Sequence, residues 1–196
     1  MTEQMQKILF DNYNYEQTPE DVRTYVDKYK GVCGEAAIAA IFMTTVENVF
    51  KKWGIEMSKF RGFTSEKEMK EILKNFRYKA IRKGVKDKYS IPECDFGIIR
   101  VSFGKPTDHW QKIARESHYL GVVKFEKGRY VYDNAIDKFD DKVINGIWIH
   151  ESEYPKWMKA ESMFITSYLE LRPEICPELS VGSKPADKDK KKIGQA

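Results

Sequence analysis

Residues Gly34 to Met43, GEAAIAAIFM, put apolar side chains on every face of a helix. Such a helix has no side to turn to water, so it must lie at the centre of a domain with other elements around it. Its alanines suit places where neighbouring backbone comes close. The rest of the chain must supply the cover. Hydrophobic residues make up 41% of the 196 residues and aromatics 13%, enough for one such domain plus tails.

The covering elements segregate along the chain. Thr18 and Pro19 suit the start of a short helix over Pro19 to Asp27, stopped by Gly31. Thr44 and Glu47 have capping-box spacing ahead of VENVFKKW, which Gly54 closes. Ser65 and Glu68 have the same spacing ahead of EKEMKEILKNF. Beyond Phe76 the composition turns to strands: YKAIRKGV, DFGIIRVSF, HYLGVVKF, RYVYDNA, INGIWIH and MFITSYLEL, with a short helix at SEYPKWMKA. The three residues EKG between two of these suit a hairpin loop. Helices first and strands second predict an α+β domain with an antiparallel sheet. It spans residues 19–172, between an N-terminal arm (1–18) and a flexible charged C-terminal tail (173–196).

Charged residues are 33% of the chain, but the net charge is only +4 and both signs are interspersed. No basic stripe interleaved with aromatics occurs, so nucleic acid is not an expected partner. No run of eighteen apolar residues occurs, and the N-terminus lacks the pattern of a secretory signal. A cytoplasmic protein without a membrane span is the expectation. The lysine-rich end KPADKDKKKIGQA reads as a solubilising tail, or as a basic tether for a protein partner. Cys33, Cys94 and Cys176 are odd in number and form no CxxC pair, which argues against a disulfide framework or a metal site. No cofactor is expected.

Cys33 stands between Gly31 and Gly34, at the start of the apolar helix. Alone it reads as a small buried hydrophobe. At a helix N-terminus, free amides and the macrodipole instead favour an anionic sulfur and can hold an oxyanion. Gly34 leaves space beside it. A nucleophilic thiol needs a base, and there are three histidines. His109 falls in a polar stretch and His150 at a strand end near the surface. His118 opens the apolar run YLGVVKF, where a fixed strand aims the ring. Across the EKG hairpin, antiparallel pairing brings the end of the next strand back beside His118. Asp133 or Asn134 ends that strand, and alternation lets only one of them face the ring. Cys33, His118 and Asp133 then form a nucleophile, base and orienting acid.

GVCGEAAIAAIF followed by HYLGVVKFEKGRYVYDN resembles the papain-like cysteine peptidases, closest to the compact leader-cleaving, bacteriocin-processing type. The resemblance runs from about Val22 to Leu171. It implies a papain-like fold, with the cysteine on a buried central helix packed against the sheet. It also implies a protein or peptide substrate, with Cys33 as nucleophile, His118 as base and Asp133 as orienting acid. Members of that family carry an oxyanion-donating glutamine about six residues before the cysteine. Here that position is Asp27, which cannot donate when ionised. Gln17 lies further upstream, and Lys28, Tyr29 and Lys30 are the nearer substitutes. GVCGEAA also resembles the cysteine motif of transglutaminase-like acyltransferases and deamidases, although HYL departs from their H-x-W pattern. A third alternative is a papain-like scaffold used only to bind a protein, as an effector or inhibitor.

Overall fold

A computed structural model of the chain describes residues 32–60, 62–107, 117–134, 138–139, 142–143 and 147–174. The expected N-terminal arm, the helix over Pro19–Asp27, His109, Trp110, Cys176 and the charged tail beyond Glu174 lie outside the described residues.

Among the described residues three α-helices come first: α1 (Cys33–Ile41), α2 (Val46–Trp53) and α3 (Glu66–Asn75). In α1 every residue from Gly34 to Ile41 is buried, as its all-round apolar sequence requires. The other two are amphipathic. They bury Val46, Val49 and Phe50, and Met69, Ile72 and Leu73, at the i, i+3, i+4 spacing of one helix face. Ser65 and Glu68 form the expected capping box. The cap of α2 is one residue later than the sequence pattern placed it. Thr45 is the N-cap and accepts from the Asn48 amide at 3.1 Å, while the Thr44 hydroxyl takes the Asn48 side-chain amide at 2.6 Å. Gly54 ends α2 in the left-handed region, at φ 79°.

The strands are β1 (Tyr78–Lys83), β2 (Phe96–Phe103), β3 (Ser117–Phe125), β4 (Gly128–Asp133), β5 (Lys138–Phe139), β6 (Lys142–Val143), β7 (Ile147–His150) and β8 (Met163–Pro173). Helix α4 (Tyr154–Ala160) lies between β7 and β8. Six strands form one sheet in the order β1-β8-β2-β3-β4-β7, and β5 pairs with β6 separately. Every pairing is antiparallel. The chain is therefore an α+β protein with a mixed helical and antiparallel-sheet core. The β3–β4 turn is tighter than a three-residue loop. Phe125 pairs with Gly128, which adopts φ 128°, so only Glu126 and Lys127 turn. β8 runs to Pro173, one residue into the segment read as tail.

Alternation along the strands divides the core in two. Tyr119, Val123, Tyr130 and Tyr132 face α1, α2 and α3. Leu120, Val122, Val131 and Ile149 face Tyr154 and Met158 of α4, together with Ile91 of the β1–β2 connection. None of the described helices is by itself long and apolar enough to cross a membrane.

Glycine sets the contact between the central helix and the sheet. A Cβ on Gly121 of β3 would fall 2.6 Å from Ile41 Cγ2 and 3.1 Å from the Ala37 carbonyl oxygen. One on Gly34 would fall 2.6 Å from Met69 Cε and 3.5 Å from the Tyr119 ring, so the room Gly34 leaves is filled by α3 and β3. Gly121→Ala presses on helix backbone and is expected to cost about 1–3 kcal/mol of unfolding free energy in urea titrations. Gly34→Ala meets only the mobile end of a methionine and is expected to cost less.

Candidate active site

α1 starts at Cys33, with Val32 as N-cap and no side-chain capping bond. The helical ladder opens with the Ala36 amide on the Val32 carbonyl at 2.8 Å. The amides of Cys33, Gly34 and Glu35 precede that ladder. Cys33 itself is half-buried. Because Gly34 lies over Tyr119 and Ala37 over Gly121, α1 runs along β3 from its start. That brings the first turn of the helix to the strand end where His118 sits.

The hairpin positions the acid. Gly121 pairs with Tyr132. Asp133 therefore falls opposite Leu120, and His118 is the next residue along on the same face, a diagonal neighbour within side-chain reach. His118 Nε2 and Asp133 Oδ1 are 2.8 Å apart. Both side chains are buried, Asp133 to 1% exposure. Cys33 also acts on the ring, by hydrogen bonding and by charge. Burial disfavours the imidazolium. The hydrogen bonds to Asp133 and Cys33, and the negative charges of both, outweigh it and push His118 up from 6.5 to about 10. The ring thus holds its proton at neutral pH. Alternation chose Asp133 over Asn134, whose Oδ1 is buried without a hydrogen-bond partner among the described residues.

Two groups at the site carried no signal in the sequence pattern. Tyr154, the first residue of α4, is fully buried and donates its hydroxyl to Asp133 Oδ2 at 2.6 Å. Both carboxylate oxygens are therefore engaged. Burial, and then the Asp133 charge, hold the Tyr154 phenol well above its usual 10, so it remains a donor. The second is Glu35, on the first turn of α1 and fully buried. Thr64, ahead of α3, donates to Glu35 Oε1, whereas Oε2 has no partner among the described residues. Burial pushes Glu35 up from 4.5 to about 7. Hydrogen bonds from Thr64 and its own amide oppose that, and the charge of Glu68 adds to it.

The strand edge beside the ring is irregular. Val101 of β2 pairs with His118, and the β2–β8 register shifts between Arg100 and Val101. Arg100 donates to the Ser117 hydroxyl at 2.9 Å, and its guanidinium lies 6.0 Å from the Tyr119 ring centroid. The Phe103 ring lies 6.4 Å from the imidazole. His150 is remote from this cluster. Its ring contacts the Ser152 hydroxyl at 2.8 Å and the Lys127 carbonyl at 3.1 Å. Gln17, Asp27, Lys28, Tyr29 and Lys30 lie outside the described residues. Among the described residues, no three His, Cys, Asp or Glu side chains cluster so as to hold a metal ion.

The fold and the cluster define an α+β protein with a buried histidine–carboxylate pair beside a helix-terminal thiol. No protein-family model matches the chain, and no curated protein matches it significantly.

Proposed function

We propose that the protein is a cysteine-dependent hydrolase of papain-like type, acting on a peptide or isopeptide bond. The observation that carries the reading is the buried His118–Asp133 pair at the strand end beside the helix that starts at Cys33, with Cys33 among the groups acting on the ring. An imidazolium that keeps its proton to about 10 supports a thiolate beside it. In the first step the sulfur bonds to the acyl carbon, and the oxyanion lies against the amides that open α1. As the C–N bond breaks, His118 gives its proton to the leaving amine. Water then attacks the thioester, His118 takes a proton from it, and the C–S bond breaks to free the acid and the thiolate. Asp133 fixes the ring throughout. The order of cysteine, histidine and aspartate is that of the family the sequence resembles.

Iodoacetamide at pH 6, with the labelled cysteine mapped by mass spectrometry, tests this. Cys33 is expected to label first. Cys94 is buried and donates to the Phe96 carbonyl at 3.3 Å; burial pushes its thiol up to about 11, so it should stay unlabelled. Equal and slow labelling of all cysteines would overturn the proposal.

A further inference from the structure

The Asp133 carboxylate has two donors converging on it from different elements: the His118 ring on Oδ1 and the Tyr154 hydroxyl on Oδ2. We propose that Tyr154 is a positioning residue that tunes His118. By donating to Oδ2 it takes up part of the carboxylate's charge, and so sets how tightly Oδ1 holds the imidazolium. The role rests on the cysteine–histidine reading above, and it adds a fourth residue to that site.

The physical case is competition for one anion. Two hydrogen bonds to the same carboxylate weaken each other, because each draws on the same negative charge. Asp133 is buried, so water is not at hand to replace a lost donor. Removing the hydroxyl therefore leaves Oδ1 a stronger acceptor and draws the proton on Nε2 closer to it. A base held that way returns its proton to a leaving amine less readily. The hydroxyl is well fixed for the task. Tyr154 opens α4, Pro155 follows it in the first turn, and the ring lies within the second core beside Met158.

The test reads the His118 Nε2–H proton by NMR on the full chain, assigned by its loss in His118→Ala. In Tyr154→Phe this resonance is expected to move downfield, with circular dichroism showing the fold kept. Site-specific 3-fluorotyrosine at position 154 keeps the shape and makes the hydroxyl a stronger donor, so it should move the resonance upfield. That substitution also decides the matter if Tyr154→Phe does not fold. A resonance unmoved in a folded Tyr154→Phe, or one that moves the same way in both variants, overturns the proposal and leaves Tyr154 as packing. Iodoacetamide labelling separates the two claims. Selective labelling of Cys33 with an unmoved resonance removes Tyr154's role alone. An inert Cys33 with the expected shifts removes the catalytic reading, and leaves the tuning of a buried histidine–aspartate pair.

Discussion

His118→Ala is expected to change the pH profile of Cys33 alkylation from flat to steep. On the proposed reading the Cys33 sulfur stands beside an imidazolium that keeps its proton to about 10. The rate with iodoacetamide should then vary little between pH 6 and 9. Without the ring, the Cys33 sulfur has only the helix terminus beside it and loses the cation that would favour its anionic form. Its rate at pH 6 is then expected to fall about a hundredfold below its own rate at pH 9. Stopped-time labelling with mass spectrometry across that range measures both profiles. Comparing each variant with itself removes differences in intrinsic nucleophilicity. A flat profile in His118→Ala would sink the ion-pair account.

Glu35→Gln should have the largest effect on stability. The folded-state value of Glu35 is raised by burial from 4.5 to about 7. Folding therefore favours the protonated acid. The native state is unpenalised below about pH 4.5 and progressively destabilised as pH rises through about 7. The displacement corresponds to about 3 kcal/mol once the group is ionised. Glutamine keeps an acceptor for Thr64 and carries no charge. Urea denaturation should show the variant more stable than wild type by about 3 kcal/mol at pH 8, with the two nearly equal at pH 4.5. A constant difference across that range would show that Glu35 does not titrate in place.

The hairpin pair was legible because it is local. His118 and Asp133 are fifteen residues apart, and strand alternation with one turn between them fixes which side chains meet. The one-residue difference in the turn decides the partner: a loop of three residues would have set Asn134 on the His118 face, and the two-residue turn sets Asp133 there. The approach of Cys33 rests on something the sequence shows only faintly, a glycine inside an apolar strand. Gly121 lets α1 lie against β3, and nothing local distinguishes it from a weak strand position. Glu35 was hidden for a different reason. An acidic residue in the first helical turn is what the helix dipole prefers, so it reads as a solvated charge. Its complete burial follows from the loop carrying Thr64, far along the chain. Tyr154 looked like one more apolar residue of a short helix. Its partner lies across a helix–sheet contact that no periodicity encodes. The capping box at Ser65 was readable because its whole physics fits within four residues. At Thr44 and Thr45 two neighbouring hydroxyls bond different groups of the same asparagine, and composition does not choose which of them caps the helix.

The place of β8 in the sheet bears on when the site can take its final shape. It is the last of the described strands, yet it lies between β1 and β2. Until Met163 to Pro173 have been synthesised, β1 has no partner and β2 is paired on one side only. A growing chain can form its helices and the β2–β3–β4–β7 meander early, since those contacts are near in sequence. Closing the gap requires a late insertion between two waiting edges, a slow step that exposes unpaired backbone meanwhile. The β2 segment that pairs with His118 is also the one that β8 locks at its register shift. The setting of His118 beside Cys33 therefore depends on a strand that joins the sheet after the helices and the meander it completes.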